Sequence, residues 1–369
     1  MSIGIIAEYN PFHNGHLYHL NEIKKMYPDS TLILVTNSYF TQRGDISLIN
    51  KWNKTNLALE FGIDLIVELP FVFATQSADL FAKGAIEILN HLKVDKIVFG
   101  SESNDIYYLK QIANILLNEN PKNNLKKGIS YPKAISEVLE EKYNINLKEP
   151  NDILGVCYIK EILRLNSNID PICIKRTNDY HSTTLKDICS AKAIREALKE
   201  NKEIDNYIPN IKKYISTHFI DELFPFIKYK IISEVDLKKY QSVDEGIEYR
   251  LKKYINESNS LDEFINKVKT KRYSYNRIKR MLVHMLCSFT KDEASNLKTE
   301  YIRILGFNEN GKLYLNRIKK DICIPLITGY KKYKNLDIEL RTTAIYNILE
   351  KKDLLKKEYN YIPFNKNNN

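Results

Sequence analysis

Residues 7–16 read AEYNPFHNGH and join an apolar run, Ile3–Ala7, to a segment of helical spacing, His16–Met26. The run is short and β-branched, which predicts a buried strand, and the apolar spacing that follows predicts an amphipathic helix. Pro11 restricts the residue before it to extended backbone and so ends the strand. The N-terminus is therefore predicted to form a strand, a loop and a helix, with a pair of histidines on the first helical turn.

The same alternation continues through the first 200 residues. Four more short apolar runs predict buried strands at Thr31–Thr36, Leu65–Leu69, Lys96–Phe99 and Ile172–Lys175. Segments of helical spacing lie between the strands, at Lys51–Phe61, Ser77–Leu92, Ile106–Leu117, Lys133–Tyr143 and Ile153–Leu165. Strands that alternate with helices predict an α/β fold: a Rossmann-like domain with a parallel sheet over residues 1–200, and ligands at the carboxyl ends of its strands.

The alternation is lost after residue 200. Helices are predicted at Leu261–Val268, Tyr275–Phe289 and Asn335–Lys356, and short strands at Ile302–Leu305 and Ile322–Ile327. Residues 201–369 are therefore predicted to form a second, mainly α-helical region.

The positive charge of the chain is confined to this second region. The 369 residues carry a net charge of +10, but residues 1–199 hold 23 basic and 23 acidic side chains, whereas residues 200–369 hold 33 and 23. A basic region next to a neutral one is typical of a protein that binds nucleic acid with one part and does another task with the other. A lysine-rich solubilising surface would give the same balance.

Composition excludes several classes of protein. The chain is 43% hydrophobic and 28% charged, which favours a globular protein. No run approaches the ~20 apolar residues of a membrane-spanning helix, and no basic segment precedes the first apolar run, as a secretory signal requires. Five scattered cysteines without a Cys-x-x-Cys pair argue against a disulfide framework and a zinc ribbon. We expect a soluble, reduced, cytoplasmic protein.

His13, Gly15 and His16 form a pattern suited to nucleotide chemistry. Residues three apart on a helix share a face, glycine leaves room for a phosphate or a flat ring, and the free N–H groups of a helix start favour anions. These features predict a nucleoside triphosphate site in which the imidazoles donate hydrogen bonds to the α-phosphate as its charge grows. The alternatives are a chance four-residue pattern and a zinc site, for which a third ligand is missing.

A second helix start, at Ser190–Arg195, supports the same site. Ser190 is a predicted N-cap, with Arg195 one turn later. The stretch resembles the serine-rich helix start that completes the phosphate site of HxGH nucleotidylyltransferases, although Ala191 stands where a second hydroxyl would be. An ordinary capped helix is the alternative.

An ordered set of further motifs narrows the resemblance. In chain order they are QRGD at 42–45, DLIVELP at 64–70, ATQSA at 74–78, FGSE at 99–102, NDILG at 151–155, IKR at 174–176, KRY at 271–273, RML at 280–282 and YIRILGF at 301–307. With the N-terminal motif, this set resembles the bacterial tRNA(Met) cytidine acetate ligase family over nearly the whole chain.

The resemblance implies a two-step reaction. ATP and acetate form acetyl-adenylate and pyrophosphate, and the acetyl group then passes to N4 of the wobble cytidine, position 34, of elongator tRNA(Met). Mg²⁺ is expected to bridge the phosphates of ATP, held by phosphate and water rather than by a protein cage. The alternatives are an adenylyltransferase acting on a small phosphorylated metabolite and a non-catalytic protein that binds ATP and RNA.

The resemblance also assigns residues to the ATP site. His13 and His16 are the expected catalytic pair, Gly100 leaves room for ATP, Asn151 supplies an amide and Arg176 supplies a positive charge. The complete set of expected ATP contacts is Ile6, Ala7, Glu8, Tyr9, Asn10, Pro11, Phe12, His13, Asn14, Gly15, His16, Gly100, Asn151, Arg176, Ser190 and Arg195.

Four basic residues of the second region are predicted to bind tRNA. Lys271, Arg272, Arg277 and Arg280 include pairs three or four apart. On a helix this spacing would present a basic stripe to phosphate. A solvated helix face is the alternative.

Three residues near the motif have two interpretations each. Arg43 and Asp45 follow the second strand and either contact substrate or form an ion pair within a loop. His181 follows the strand Ile172–Lys175 and either faces the site or is a hydrogen-bonded structural histidine.

Overall fold

The first five predicted strands form one parallel sheet in the computed structural model. The structure describes residues 1–119, 131–176, 189–295, 297–330, 334–350 and 352–366. The strands are β1 (Ser2–Ile6), β2 (Thr31–Asn37), β3 (Leu65–Leu69), β4 (Lys96–Ser101) and β5 (Asp170–Lys175), in the order β5-β4-β1-β2-β3. Each neighbouring pair is parallel. The predicted Rossmann-like sheet is confirmed, and the ends of each strand lie close to the predicted positions.

Helices connect these strands, as predicted. They are α1 (Asn14–Met26), α2 (Lys51–Glu60), α3 (Phe71–Ala74), α4 (Ala78–His91), α5 (Ile106–Asn118), α6 (Tyr131–Tyr143), α7 (Pro150–Arg164) and α8 (Ala191–Lys199). Within the described ranges, no helix is both long enough and apolar enough to span a membrane.

The second region is mainly helical, which confirms the predicted fold class. Its helices are α9 (Phe224–Ser233), α10 (Ile247–Ile255), α11 (Leu261–Val268), α12 (Tyr275–Leu286), α13 (Lys291–Ala294), α14 (Glu309–Ile318), α15 (Lys334–Glu350) and α16 (Leu354–Tyr359). Short 3-10 turns lie at Asp205–Tyr207, Lys212–Tyr214, Ile220–Leu223 and Leu237–Lys239. The helix predicted over Asn335–Lys356 is thus two helices, α15 and α16.

Apolar residues of each strand pack alternately on the two faces of the sheet. In β2, Ile33 and Val35 belong to one hydrophobic cluster, whereas Leu32 and Leu34 belong to another. All four side chains are buried. Because both faces of the sheet are covered, the strands are continuous apolar runs, which is why they are visible in the sequence.

Strands from the second region extend the sheet. β6 (Ile302–Phe307) pairs antiparallel with β3, while β7 (Leu326–Ile327) and β8 (Phe364–Asn365) pair with β6. The sheet therefore continues past residue 200. The division of the chain into an ATP-activating part, 1–200, and a tRNA-binding part, 201–369, stays a prediction about function.

A buried ion network joins β3 and β6 to helices α2 and α16. Lys51 Nζ lies 2.8 Å from Glu68 Oε1 and 2.5 Å from Glu358 Oε1. Arg303 lies across the same two carboxylates, with Nη1 at 3.0 Å from Glu68 Oε2 and Nη2 at 2.6 Å from Glu358 Oε2. Although burial alone would raise it, Arg303 and Lys51 together hold the pKa of Glu68 below its ordinary value. The network therefore fastens α16 to the sheet through paired charges.

Candidate active site

A cavity of about 540 Å³ opens at the carboxyl ends of β1, β4 and β5. This is the crevice where the strand order reverses, the usual ligand site of open α/β sheets, and its volume is in the range of small-molecule sites. Pro11, Phe12 and Asn14 of the expected ATP contacts do not line it. The other expected contacts do: Ile6, Ala7, Glu8, Tyr9, Asn10, His13, Gly15, His16, Gly100, Asn151, Arg176, Ser190 and Arg195.

His13 and His16 form the start of α1 together. His13 is the N-cap, and its Nδ1 accepts a hydrogen bond from the Gly15 N–H at 3.0 Å. His16 Nδ1 accepts a hydrogen bond from the His13 N–H at 3.3 Å, and the two ring centroids are 3.8 Å apart. Because each Nδ1 is an acceptor, the proton of each neutral ring is on Nε2. The helix start therefore fixes the tautomer of both imidazoles.

Both imidazoles are neutral in this site. Burial, with Arg176 and Arg195 acting in the same direction, lowers the pKa of His13 to about 3. Burial, with His13 and Arg176 adding to it, lowers the pKa of His16 well below its ordinary value. Two neutral N–H donors beside the positive end of a helix are suited to hold a phosphate whose negative charge increases during reaction.

The loop before α1 is held by its own side chains. Asn10 is buried; its Nδ2 donates to the carbonyl oxygen of Ile46 at 3.1 Å, and its Oδ1 accepts from the Leu48 N–H at 2.7 Å. Phe12 is fully buried, with its ring centroid 4.9 Å from that of Phe61. Asn10 and Phe12 therefore hold the backbone of the histidine motif in place through buried contacts.

Glu102, for which no role is predicted from the sequence, positions residues on one side of the cavity. Its carboxylate accepts from the N–H groups of Asn151 and Asp152 at 3.1 Å each, at the start of α7, and from the Asn151 side-chain amide. Arg176 Nε lies 3.8 Å from Glu102 Oε1. A Cβ added at Gly100 would lie 3.3 Å from Arg176 Cγ, so the glycine leaves room for the arginine side chain. Glu102 is the last residue of the FGSE motif, so its presence in that motif is the feature of the sequence that could have indicated a role.

Glu8, which follows β1, and Lys54, on α2, form a second pair of interacting titratable groups. Glu8 Oε1 accepts from the Gln42 N–H at 2.7 Å, and burial raises the pKa of Glu8. Lys54 Nζ donates to the Asn37 carbonyl oxygen at 3.0 Å, and burial lowers the pKa of Lys54 to about 7. Glu8 faces the cavity from the centre of the sheet.

A second helix start faces the same cavity. Ser190 is the N-cap of α8, as predicted, because its Oγ accepts from the Ala193 N–H at 3.1 Å. Arg195 Nη1 donates to the Asn10 carbonyl oxygen at 2.7 Å and so connects α8 to the histidine motif. His181 belongs to the segment 177–188, which lies outside the described residues.

The loop 42–45 packs directly on α12 of the second region. Asp45 forms an ion pair with Lys279, and although burial acts in the opposite direction, Lys279 and Arg195 hold the pKa of Asp45 below its ordinary value. Gly44 has φ of +77°, and Arg280 Nη1 lies 3.4 Å from the Gln42 carbonyl oxygen. Asp45 thus pairs with Lys279 of α12 rather than within its own loop, and Arg43 and Asp45 both line the cavity.

The four basic residues predicted to bind tRNA separate into two places. Lys271 is exposed, Arg272 Nε lies 2.8 Å from Glu245 Oε2, and the Arg277 guanidinium lies 3.9 Å from the ring centroid of Tyr273. Arg280, one turn after Arg277 on α12, lines the cavity instead. The spacing indicated a shared helix face, but it could not show which residues of that face point inward.

The described residues offer no protein cage for a metal ion. In that part of the chain, no group of three histidine, cysteine, aspartate or glutamate side chains could hold one.

Known proteins resemble this chain over nearly its whole length. The sequence model of the family described as HIGH Nucleotidyl Transferase matches residues 1–360. The tRNA(Met) cytidine acetate ligase of Geobacillus sp. (strain WCH70) is 38% identical, over 97% of this chain and 98% of its own length. The chain belongs to the tRNA(Met) cytidine acetate ligase family. This confirms the family predicted from the sequence motifs.

Other members of the tRNA(Met) cytidine acetate ligase family agree in sequence and in structure. The protein of that name from Bacillus subtilis (strain 168) is 34% identical, over 94% of this chain and 92% of its own. Crystal structures of Thermotoga maritima TmcAL, one apo and one bound with alpha-thio ATP, match with TM-scores of 0.90 and 0.88. They are 31% and 30% identical in sequence, and each match covers 99% of both chains.

Proposed function

We propose that this protein is a cytoplasmic enzyme that uses ATP to ligate acetate to the wobble cytidine of elongator tRNA(Met). The observation that carries the proposal is the pair of imidazoles, His13 and His16, at the start of α1 in a cavity large enough for a nucleotide. The full-length similarity to ligases of this name, and a similar structure bound with alpha-thio ATP, support the same reaction.

In the first step an acetate oxygen attacks the α-phosphorus of ATP. The bond from the α-phosphorus to the bridging oxygen of the β-phosphate breaks, pyrophosphate leaves and acetyl-adenylate forms. The Nε2–H groups of His13 and His16 donate to the α-phosphate oxygens, and each donor aimed at developing charge is worth about 3 kcal/mol. Ser190 and Arg195, at the start of α8, lie where they can bind the leaving pyrophosphate.

The adenosine part of ATP is assigned to the opposite side of the motif. Gly100, Asn151 and Arg176 line the cavity at the ends of β4 and β5, and Glu102 holds Asn151 and Arg176 in place. Mg²⁺, bound by phosphate oxygens and water, would neutralise part of the triphosphate charge.

In the second step N4 of the cytidine attacks the acetyl carbonyl carbon. The bond between that carbon and the AMP oxygen breaks, AMP leaves, the N4 proton passes to water and N4-acetylcytidine is formed. Lys271, Arg272 and Arg277 precede or begin α12, and Ser274 and Asn276 of the same segment line the cavity. A tRNA held by these basic residues would have its cytidine close to the adenylate.

Transfer of labelled acetate to bulk bacterial tRNA, with ATP and Mg²⁺ present or omitted, tests the proposal. We expect ATP-dependent label in N4-acetylcytidine. His16→Ala should reduce the rate about 100-fold or more while tRNA affinity is unchanged. His218→Ala is the matched control, because His218 pairs with Glu222 away from the cavity.

Two other results would favour the alternative functions. Cleavage of ATP to AMP and pyrophosphate without label in tRNA would indicate adenylyl transfer to a small metabolite. Binding of ATP and tRNA without cleavage of ATP would indicate a non-catalytic protein. Either result contradicts the ligase reaction.

A further inference from the structure

The wall of the cavity that faces away from the adenosine side carries two arginines, Arg43 and Arg280. We propose that Arg280, with Arg43 beside it, binds the carboxylate of acetate. This inference rests on the proposed function, since it names the part of the cavity that takes the second substrate of the first step.

The sheet topology separates this wall from the nucleotide. β1 carries the histidine motif at the centre, and β4 and β5 bring Gly100 and Arg176 to one side of it. Arg43 follows β2, on the other side of β1, and Arg280 reaches the same side from α12. A carboxylate held here would lie next to the α-phosphate and across from the adenosine.

The surroundings of the Arg280 guanidinium suit the binding of an anion. The Arg280 side chain lines the cavity, and its Nη1 makes a long hydrogen bond of 3.4 Å to the Gln42 carbonyl oxygen. Within the described ranges no carboxylate lies within 4.0 Å of it, because the neighbouring Asp45 pairs with Lys279 instead. Burial, with Arg277 and Arg43 acting in the same direction, lowers the pKa of Arg280 to about 10, so it keeps its charge at neutral pH.

Two other arginines, in contrast, are paired with carboxylates. Arg303 is fully buried and pairs with Glu68 and Glu358, and the half-exposed Arg272 pairs with Glu245. A guanidinium withdrawn from water without such a partner is costly until an anion binds. The site therefore favours a small anion.

A small apolar surface lines the same cavity and suits a methyl group. Gln42 Nε2 donates to the Gln76 carbonyl oxygen at 3.1 Å, which brings the start of α4 against the loop that contacts Arg280. Ala78 and Phe81 of α4 line the cavity there, and Phe81 is only 3% exposed. A ligand that places its carboxylate at the arginine and a methyl group against α4 is a short carboxylic acid such as acetate.

The same geometry disfavours a tRNA phosphate as the partner of Arg280. Lys271 is exposed, and Arg272 and Arg277 lie outside the cavity, where a polynucleotide backbone can reach them. Arg280 lies inside it, beside the loop 42–45.

The test is acetate-dependent exchange of labelled pyrophosphate into ATP, measured without tRNA. In Arg280→Gln we expect the KM for acetate to rise by about tenfold or more, the loss typical of one charge-assisted hydrogen bond, with the KM for ATP within about twofold of the parent value. Arg280→Lys keeps the charge and should recover part of the loss. Arg317→Gln, on the exposed face of α14, is the matched control and should leave both constants unchanged.

Ala78→Val provides a second readout should Arg280→Gln fail to fold, as judged by thermal melting. A larger side chain beside the methyl group should raise the KM for propionate more than the KM for acetate. Equal effects on both acids would contradict the assigned methyl surface.

Three outcomes would overturn the assignment of Arg280. An unchanged KM for acetate would do so, as would an equal rise for ATP and acetate, which would place Arg280 on the triphosphate. A rise confined to the KM for tRNA in the full reaction would place it on the nucleic acid. Absence of acetate-dependent exchange in the parent protein would instead refute the proposed function itself.

Discussion

Replacing Gly44 by alanine tests the contact between the loop 42–45 and α12. Gly44 has φ of +77°, and a Cβ there would lie 2.6 Å from the backbone nitrogen of Arg280 and 2.7 Å from the carbonyl carbon of Lys279. These are backbone atoms of a helix, so no side-chain rotation relieves the collision. Either the loop or α12 must move.

The expected loss of stability has two parts. A left-handed backbone conformation costs an alanine about 1 kcal/mol, and overpacking against fixed atoms adds about 1–3 kcal/mol. Gly246 offers a matched control, because its φ is +83° but the nearest atom to its added Cβ is Tyr249 Cδ2, at 3.7 Å. Gly246→Ala should therefore lose only the first part, whereas Gly44→Ala should lose about 2–4 kcal/mol in total.

Urea unfolding of both variants measures the difference. Because Gly44 contacts the backbone of Arg280, Gly44→Ala should also raise the KM for acetate about tenfold, while Gly246→Ala leaves it unchanged. If the two variants lost the same free energy within about 0.5 kcal/mol, the loop would not press on α12 as described, and the reasoning would be refuted.

Four further predictions follow from other contacts. Arg303→Met leaves two buried carboxylates with Lys51 alone and should cost about 3–5 kcal/mol in urea unfolding, against less than about 0.5 kcal/mol for the exposed Arg317→Met. Burial lowers the pKa of His284 to about 4, so on acidification the unfolded chain takes up the proton first and the folded protein loses stability below pH 6.5. In urea unfolding, His284→Gln should therefore lose about 2 kcal/mol less than the parent protein between pH 7 and pH 5. Glu102→Gln should raise the KM for ATP severalfold and leave tRNA affinity unchanged; an unchanged KM would contradict its positioning role. Arg277→Glu should weaken tRNA binding and reduce the slope of log K against log salt by about one or more, with ATP affinity as the control.

Much of the sheet could be predicted because its signals are local. The strand Leu65–Leu69 is a continuous apolar run between turn residues, and α11, Leu261–Val268, has helical spacing behind a serine N-cap; both have the predicted bounds. The histidine site was equally accessible, because His13, Gly15 and His16 are within four positions of one another.

The remaining features depend on contacts between distant parts of the chain. Asp45 and Lys279 are 234 positions apart, and the pairing of β6 with β3 joins Ile304 to Val67. The spacing of Arg277 and Arg280 indicates a common helix face, but only the docking of α12 on the loop 42–45 turns Arg280 inward. No local propensity carries that information, because it depends on tertiary packing.

The network of Lys51, Glu68, Arg303 and Glu358 also constrains how the protein can be made. During synthesis the early strands leave the ribosome long before Arg303 and Glu358, so Lys51 and Glu68 have only each other until β6 is made, and the network is complete only after α16. The charges of Lys51 and Glu68 are therefore balanced as in the folded protein only after β6 and α16 are in place. A fragment that ended at residue 200 would keep Lys51 and Glu68 but lose Arg303 and Glu358, so we expect it to fold less stably than the whole chain.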